Sequence, residues 1–326
     1  MKRLTITAPA FLAGAVLCIT ACSAGDGGVS PEADVAPTGH ASAALTTATK
    51  RSTVDFGART TLEYHAVVAG ADTSLGEGLY VSTGHVARLG RQASPSRDLV
   101  TFDDGYTSVY ALALPILRRA NLPALAAIIT EATRDSGSPD ARPDRMSRAE
   151  LAALVAAGWS MAYHASTVAE HELNFHRLAL ILQSGAVYGV NRDLDAVDVF
   201  DPLAGVYLSD NTGETGAAND ALLEDLRASR RDVLRRVDAG ANADEAAIEV
   251  LAARFRAGRA RLASLAGVLP AQVDTLVYPH SESDYLVWAA AQRGGFARAY
   301  AGGPIGDRSN AYNKPRKWMN DATPIP

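Results

Sequence analysis

Two adjacent carboxylates, Asp103 and Asp104, follow the apolar and β-branched run Leu99–Phe102 and precede Gly105. Such a run is typical of a buried strand whose carboxyl end opens onto a site. Two neighbouring acids there cannot both be buried and unpaired, because desolvation raises their pKa values until one is neutral. The pair therefore predicts a bound cation, a division of labour between one ligand and one base, or an Asp-Asp-Gly turn without chemistry.

A histidine is predicted at the same edge of the sheet. Ser147 and Glu150 have the spacing of a capping box that starts a helix, and the next strand, Trp159–Tyr163, delivers His164 at its carboxyl end. Parallel strands wrapped by helices collect polar side chains at that end. His164 is compatible with a structural or merely exposed role, but the acid pair one strand–helix–strand–helix unit earlier favours a metal ligand.

The remaining pattern indicates an α/β fold in which strands and helices alternate. Further elements are predicted as a strand over Thr61–Val68, a helix over Ser108–Ala120, a strand over Ala124–Thr130, helices over Glu172–Ser184, Asn219–Val237 and Asp244–Ala266, a strand over Thr275–Pro279, a helix over Tyr285–Arg293 and a strand over Phe296–Tyr300. The segment from about 185 to 250 is interpreted as an insertion, polar between Asp193 and Ala218. An apolar stripe that includes Ile248 and Phe255 is interpreted as core packing, and the dense charges beside it as a solvated face.

The composition limits the kinds of protein that this chain can be. The chain has 326 residues, of which 48% are hydrophobic, so it can bury a large core. Its net charge of -5 argues against non-specific binding of nucleic acid, because no positive excess exists to displace counterions from phosphates. We expect no nucleic-acid partner and a monomer.

The N-terminus has the pattern of an export signal. Lys2 and Arg3 precede the apolar run Ala8–Ile19, which is too short to span a bilayer but suits the hydrophobic region of a signal peptide. The run ends in Ile-Thr-Ala-Cys, which resembles the bacterial lipobox, so Cys22 is expected to carry the lipid. Cys18 would leave with the signal, so the mature chain has no disulfide.

These features divide the chain into three expected parts. Residues 1–22 form the lipoprotein signal peptide, residues 23–58 a flexible Ala/Gly/Ser/Thr/Pro-rich tether, and residues 59–326 the folded domain. The expected location is the cell envelope, outside the cytoplasm. If the host has two membranes, Ser23 after the lipidated residue resembles outer-membrane sorting.

Four motifs together resemble the NodB-homology polysaccharide deacetylases, carbohydrate esterase family 4. They are LVTFDDG at 99–105, GWSMAYH at 158–164, TLVYPH at 275–280 and GGFARA at 294–299. The resemblance covers roughly residues 60 to 320 and is closest to the branch that acts on poly-N-acetylglucosamine. It implies an irregular, incomplete (β/α) barrel, hydrolysis of N- or O-acetyl groups, and a divalent metal held by one Asp and two His. Zinc is the expected ion, with cobalt, nickel or iron as alternatives.

The resemblance also assigns roles to residues. Asp103 matches the general base, which takes a proton from the attacking water, while Asp104 and His164 match metal ligands. The family's second histidine follows the first by four or five residues, but this chain has none at those places. His171, seven residues on, returns to the same face as His164 if the segment is helical, and His176 is the alternative.

The third motif departs from the family, because His280 follows Tyr278 and Pro279 where a Tyr is usual. The backbone N–H of His280 could still stabilise an oxyanion. No histidine follows it, so either His280, His65 or a metal-bound water protonates the leaving amine, or turnover is poor. Arg316 resembles the family's late Pro-Arg strand and is interpreted as structural.

Aromatic and nearby residues are expected to contact sugar. The predicted substrate-binding residues are His65, Tyr106, Tyr278 and Pro279, with Trp159 as a further aromatic candidate. Two functions follow: a lipid-anchored, metal-dependent deacetylase of an N-acetylated envelope or extracellular polysaccharide, or a glycan-binding lipoprotein on the same fold without turnover. The irregular histidine spacing favours the second, and an O-acetyl ester is a third possible substrate.

Overall fold

The computed structural model describes residues 60–71, 80–187, 216–302, 306, 308–320, 323 and 325, with side chains from 184 to 187 and from 216 to 219 left out. The described residues all lie in one compact unit, Thr49–Pro326. The predicted signal peptide, Cys22 and the tether lie outside the described residues, and so do residues 188–215 of the insertion. A search of the described helices found none with the length and apolarity needed to cross a membrane.

Seven of the nine strands in the described part of the chain form one parallel sheet. In chain order the strands are β1 (Thr60–Tyr64), β2 (Ala66–Val68), β3 (Tyr80–Ser82), β4 (Asp98–Phe102), β5 (Ala124–Ile129), β6 (Ser160–Ala165), β7 (Thr275–Val277), β8 (Arg298–Tyr300) and β9 (Lys317–Trp318). The sheet order is β8-β7-β6-β5-β4-β1-β9, and β2 pairs with β3 in a separate ribbon. The large sheet curls without closing, so the predicted incomplete (β/α) barrel is confirmed.

Helices connect and cover these strands. They are α1 (Thr83–Gln92), α2 (Leu114–Arg119), α3 (Arg148–Ala156), α4 (Val168–Leu173), α5 (Phe175–Val187), α6 (Gly216–Asp238), α7 (Ala243–Ala266) and α8 (Tyr285–Arg293). A π-helical turn, Val109–Ala113, precedes α2, and short 3₁₀ turns span Pro270–Gln272 and Pro279–Ser281. Pro115 has no backbone N–H, so one α-helical hydrogen bond is missing at the start of α2.

The sheet buries both faces, as the apolar strands predict. All six residues of β5 are buried, and the main core lies between the sheet and the helices. A smaller apolar cluster on the other face includes Leu99, Ala127 and Ala162. Side chains alternate along a strand, so Thr101 and Asp103 continue the face that Leu99 begins. The concave face of the sheet therefore carries apolar residues along the strands and carboxylates at their carboxyl ends.

Two predicted elements are each divided by one residue. The strand predicted over Thr61–Val68 is two strands, because β1 pairs with β4 only as far as Tyr64 and β2 leaves to pair with β3. His65 lies at the break. The helix predicted over Glu172–Ser184 is interrupted at Asn174, which has φ +57°, a left-handed conformation that Asn tolerates better than most residues.

The apolar stripe of α7 packs in the core, as predicted: Ile248, Leu251, Phe255 and Leu262 are all buried. The interpretation of the charged residues as a purely solvated face was wrong. Arg230 of α6 is only 4% exposed. Arg254 of α7 pairs with Glu170, a buried residue of α4. These helices therefore make polar contacts inside the domain as well as apolar ones.

Candidate metal centre and active site

The acid pair lies at the carboxyl end of β4, where the chain turns sharply. Asp104 and Gly105 have φ values of +68° and +74°, so two consecutive residues are left-handed. A Cβ at position 105 would lie 3.2 Å from the Ile128 side chain, which glycine avoids. The N–H of Asp103 donates to the carbonyl of Tyr64 (2.8 Å), which ties the turn to β1. The turn places both carboxylates in one cavity but aims them at different neighbours.

His164 lies at an irregularity in β6. Ile128 pairs with Tyr163 and Ile129 pairs with Ala165, so His164 has no partner across the β5–β6 ladder. Such bulges re-aim a side chain beside active sites. The Nδ1 atom of His164 lies 2.9 Å from the carbonyl oxygen of Val277, which can only accept a hydrogen bond. This contact makes Nδ1 the protonated nitrogen in the neutral ring and leaves the Nε2 lone pair for another partner.

The structure brings His171, and not His176, to this point. His171 is on α4, with its Nδ1 atom 3.3 Å from Glu172 Oε1. His176 is on α5 and pairs instead with Asp284 (2.9 Å). Burial lowers the pKa of His171, which favours the neutral ring that a metal requires.

Three ligand atoms converge with the spacing of a metal site. Asp104 Oδ1 lies 3.4 Å from the Nε2 atoms of both His164 and His171, and those two nitrogens are 3.2 Å apart. Ligands about 2.0–2.2 Å from a tetrahedral ion lie about 3.3–3.6 Å from one another. Asp104 Oδ1 is buried and has no hydrogen-bond partner. Two imidazole lone pairs and a carboxylate oxygen that face one point repel each other without a cation, so this donor set fits a divalent ion.

Asp103 belongs to a second cluster of polar side chains, all of which contact the guanidinium of Arg316. Arg316 Nη1 donates to Asp103 Oδ1 (2.7 Å) and to Thr101 Oγ1 (3.2 Å), and Nη2 pairs with Glu63 Oε1 (3.2 Å). All these groups are buried. Burial alone would raise the pKa of Asp103, but Arg316 and His164 hold it below its ordinary value. Burial dominates at Glu63 and raises its pKa despite Arg316.

The interpretation of Arg316 as merely structural is therefore incomplete, and Glu63 was missed. Arg316 is in direct contact with the predicted base, Asp103. One signal for Glu63 was present in the sequence, because a carboxylate between the apolar residues Leu62 and Tyr64 of a buried strand needs a partner. That partner, Arg316, follows Pro315 near the other end of the chain, and nothing in the local pattern connects the two.

The two histidines considered as proton donors lie in different surroundings. The Nδ1 atom of His65 is buried without a hydrogen-bond partner, and His65 offers a nitrogen within 4.8 Å of carboxylate oxygens of Glu63 and Asp103. The side chain of His280 is 44% exposed, and its Nε2 atom lies 3.4 Å from Glu172 Oε2. Hydrogen bonds from His171 and His280 lower the pKa of Glu172 to about 2. Glu172 is therefore a carboxylate at neutral pH.

A cavity of about 480 Å³ joins both clusters. Further lining residues are Tyr106, Arg142, Arg145, Tyr278, Ser281 and Trp318. Trp318 is 58% exposed, and its role at the cavity was not predicted. The Tyr106 ring is covered by the Arg145 guanidinium, 3.8 Å from the ring centroid.

The other predicted sugar contacts lie deeper. Tyr278 is buried, and its hydroxyl donates to the carbonyl of Tyr312 (2.7 Å). Pro279 is buried at the start of its 3₁₀ turn. For these two residues substrate contact stays a prediction. The suggestion for Trp159 was wrong, because its ring is only 4% exposed and stacks on Phe102 in the core.

Part of the chain is similar to a known protein family. The sequence model of the polysaccharide deacetylase family matches residues 91–178, which include the acid pair, His164 and His171. A search of curated proteins found no significant match.

Several solved structures are similar over most of their length. A de-N-acetylase from Aggregatibacter actinomycetemcomitans shares 14% identity over 82% of this chain and 97% of that chain, with a TM-score of 0.49. The deacetylase PplD of Streptococcus pyogenes, in complex with acetate, shares 13% over 81% and 93%, with a TM-score of 0.48. These values are too low to support a functional conclusion. The family match covers less than half of the chain, and it shows that the segment from 91 to 178 is similar to polysaccharide deacetylases.

Proposed function

We propose that this protein removes N-acetyl groups from a poly-N-acetylglucosamine-like polysaccharide, and that Asp104, His164 and His171 hold the divalent cation that the reaction needs. The observation that carries the proposal is the convergence of these three ligand atoms at 3.2–3.4 Å beside a separate, arginine-held carboxylate. When bound there, a cation such as Zn²⁺ would supply Lewis acidity, which polarises an acetyl oxygen and lowers the pKa of water. The substrate class is supported by the resemblance of Tyr278–His280 to the branch that acts on this polymer.

Asp103 is the proposed general base. Its carboxylate lines the cavity next to the ligand cluster, with Oδ2 3.9 Å from His164 Nε2. Arg316 holds the other oxygen, so the carboxylate has one fixed orientation and stays ionised before it accepts a proton from the attacking water. The proton acceptor and the cation ligand are thus two different acids of one pair.

His65 is the proposed general acid. Its buried Nδ1 atom has no partner within the described residues, and it lies near the carboxylates of Glu63 and Asp103. His280 is more exposed and is held by Glu172 on the other side of His171. A proton given by His65 to the departing amine completes the hydrolysis, because Asp103 has taken one from water.

Acetate release from N-acetylglucosamine oligomers tests these roles. We expect release by the Zn²⁺-loaded or Co²⁺-loaded chain, a loss of about 10²–10⁴-fold in His65→Ala, and a much smaller change in His280→Ala. The reverse order would transfer the acid role to His280. Binding of the oligomers without any release of acetate would support the glycan-binding alternative, and release only from O-acetylated xylan would change the substrate class.

We also propose that the protein is exported and anchored through a lipid on Cys22. The support is the charged start, the short apolar run and the lipobox-like Ile-Thr-Ala-Cys, followed by a tether of about 36 residues from Ser23 to 58. Metabolic labelling with a palmitate analogue tests the anchor. Label should enter the wild-type chain and not Cys22→Ala, and equal labelling of both would exclude acylation at this residue.

A further inference from the structure

The position of His171 depends on contacts from outside its own helix. Helix α4 has six residues, and so short a helix is not stable by itself. Its first turn is held by Thr167, whose Oγ1 accepts from the N–H of Glu170 (3.0 Å), and by Asp140, whose carboxylate accepts from the N–H of Val168 (2.9 Å). These contacts fix the start of the helix. They leave its rotation toward the metal cluster to be set by side chains.

Glu170 is the side chain that ties α4 to the interior. It directly precedes His171 and is only 2% exposed. Its Oε1 atom accepts from the hydroxyl of Tyr163 (3.2 Å), and its Oε2 atom accepts from Arg254 Nη2 (2.6 Å). Tyr163 in turn directly precedes His164. One buried carboxylate therefore connects the chain neighbours of both histidines.

Arg254 brings the two long helices into this connection. It projects from α7, and its Nη1 atom pairs with Asp225 and donates to Ser229 Oγ (3.2 Å), both on α6. Its side chain is 15% exposed. Burial lowers the pKa of Arg254, but Glu170 and Asp225 outweigh burial and raise it, so the guanidinium stays charged. The guanidinium of Arg254 thus contacts α4 through Nη2 and α6 through Nη1.

Helix α7 also contacts Tyr163 directly. A Cβ at Gly258 would lie 2.3 Å from Tyr163 Cζ, so the ring reaches the helix only because position 258 has no side chain. Gly258 is one helical turn beyond Arg254 and shares its face. The same face of α7 therefore sets the depth of the Tyr163 ring and the place of Glu170.

We propose that Glu170 and Arg254 are positioning residues for the metal centre: α7, through Arg254, holds α4 at the rotation where His171 Nε2 lies 3.2 Å from His164 Nε2. This inference rests on the proposed function, in which His171 is a cation ligand. Asp225 and Ser229 of α6, within the segment interpreted as an insertion, contact Arg254 and so support the same connection. The positioning role also explains how a histidine seven residues after His164 can complete the site.

The test is Co²⁺ affinity of the full-length chain, measured by visible absorption in competition with a chelator. In Arg254→Met the dissociation constant for Co²⁺ should rise about 10–100-fold, the usual effect of removing a group that orients a ligand. Arg254→Lys should recover part of the loss. The matched control is Arg261→Met on the same helix, because Arg261 pairs with Glu131 (2.8 Å), which is not a residue of α4. Its affinity should stay within about twofold of the wild type.

The outcomes separate this inference from the proposed function. Wild-type chain that binds no Co²⁺ contradicts the proposed function itself. Wild-type affinity in Arg254→Met, with the ion still bound in the wild type, overturns the positioning role alone. If Arg254→Met does not fold, Glu170→Gln and Tyr163→Phe keep the side-chain volumes and take its place. Each should weaken Co²⁺ binding and alter the absorption spectrum, and an unchanged affinity and spectrum in both would likewise overturn the inference.

Discussion

The metal cluster and the acid–base cluster meet at the end of β4 but are assembled in different ways. The metal cluster takes Asp104 from the end of β4, His164 from β6 and His171 from α4, all within one stretch of 68 residues. The acid–base cluster joins Asp103 to Glu63 and Arg316, which come from opposite ends of the described chain. It forms because β9 pairs in parallel with β1. The metal cluster is thus local in sequence, whereas the acid–base cluster depends on the pairing of two strands that are far apart in the chain.

The two clusters also differ in how they balance charge. The metal cluster has an unpartnered carboxylate oxygen and two histidines whose Nδ1 atoms are engaged elsewhere, so it needs a cation from outside. The acid–base cluster already contains its cation, Arg316, shared by two carboxylates. In the proposed function, the first cluster binds an ion and the second keeps one carboxylate ready as a base.

The largest effect should come from breaking the metal cluster. Asp104→Ala should abolish binding of Zn²⁺ and reduce acetate release to the level of the uncatalysed reaction, because two neutral histidines alone bind weakly. Metal content and acetate release measure this change. His176→Ala is the control, since His176 pairs with Asp284 on the surface, and it should retain both properties.

Breaking the acid–base cluster at its base should give a different result. Asp103→Asn keeps the shape of the side chain and removes the proton acceptor, so kcat should fall about 10²–10⁴-fold while Zn²⁺ binding is retained. Titration calorimetry and acetate assays on the same sample separate the two properties. Joint loss of metal and activity would show that Asp103 is a ligand rather than a base.

Replacing Arg316, the cation shared by Glu63 and Asp103, should chiefly affect the stability of the fold. Arg316→Met leaves Glu63 and Asp103 buried without their partner, and the free energy of unfolding should fall by about 3–5 kcal/mol at pH 7. The pKa of Asp103 is lowered in the folded wild type, so its pairing stabilises the fold above the ordinary carboxyl range and less as pH falls. Urea unfolding should therefore show a smaller deficit near pH 4 than at pH 7. A deficit that is constant with pH would count against the charge pairing.

The smallest expected effect concerns the cavity mouth, outside both clusters. Trp318 is exposed at the cavity and suits the apolar face of a sugar ring. Trp318→Ala should raise KM for the oligomers about 2–10-fold with kcat nearly unchanged. The exposed Leu269, which does not line the cavity, provides the control in Leu269→Ala, and a change in kcat alone would argue against a binding role for Trp318.

The comparison also explains what could be predicted from the sequence. The alternating strands and helices follow from periods of two and 3.6 residues within short windows, and the fold confirms the predicted α/β class. The strands that end at the acid pair and at His164 are both present in the sheet. His171 required only the helical spacing after Ser166. Glu63 and Arg316 could not be paired in this way, because their contact depends on which distant strands become neighbours. Arg254 was assigned to a solvated face because helical periodicity does not show which charge finds a buried partner.

The central claim is that Asp104, His164 and His171 bind one divalent ion on which deacetylation depends. Calorimetric titration of the chelator-treated chain with Zn²⁺, followed by an acetate assay on the same sample, tests it most directly. We predict one ion per chain, acetate release that rises in proportion to bound ion, and loss of both in His171→Ala. Acetate release without bound metal, or unchanged Zn²⁺ binding in His171→Ala, would contradict the account.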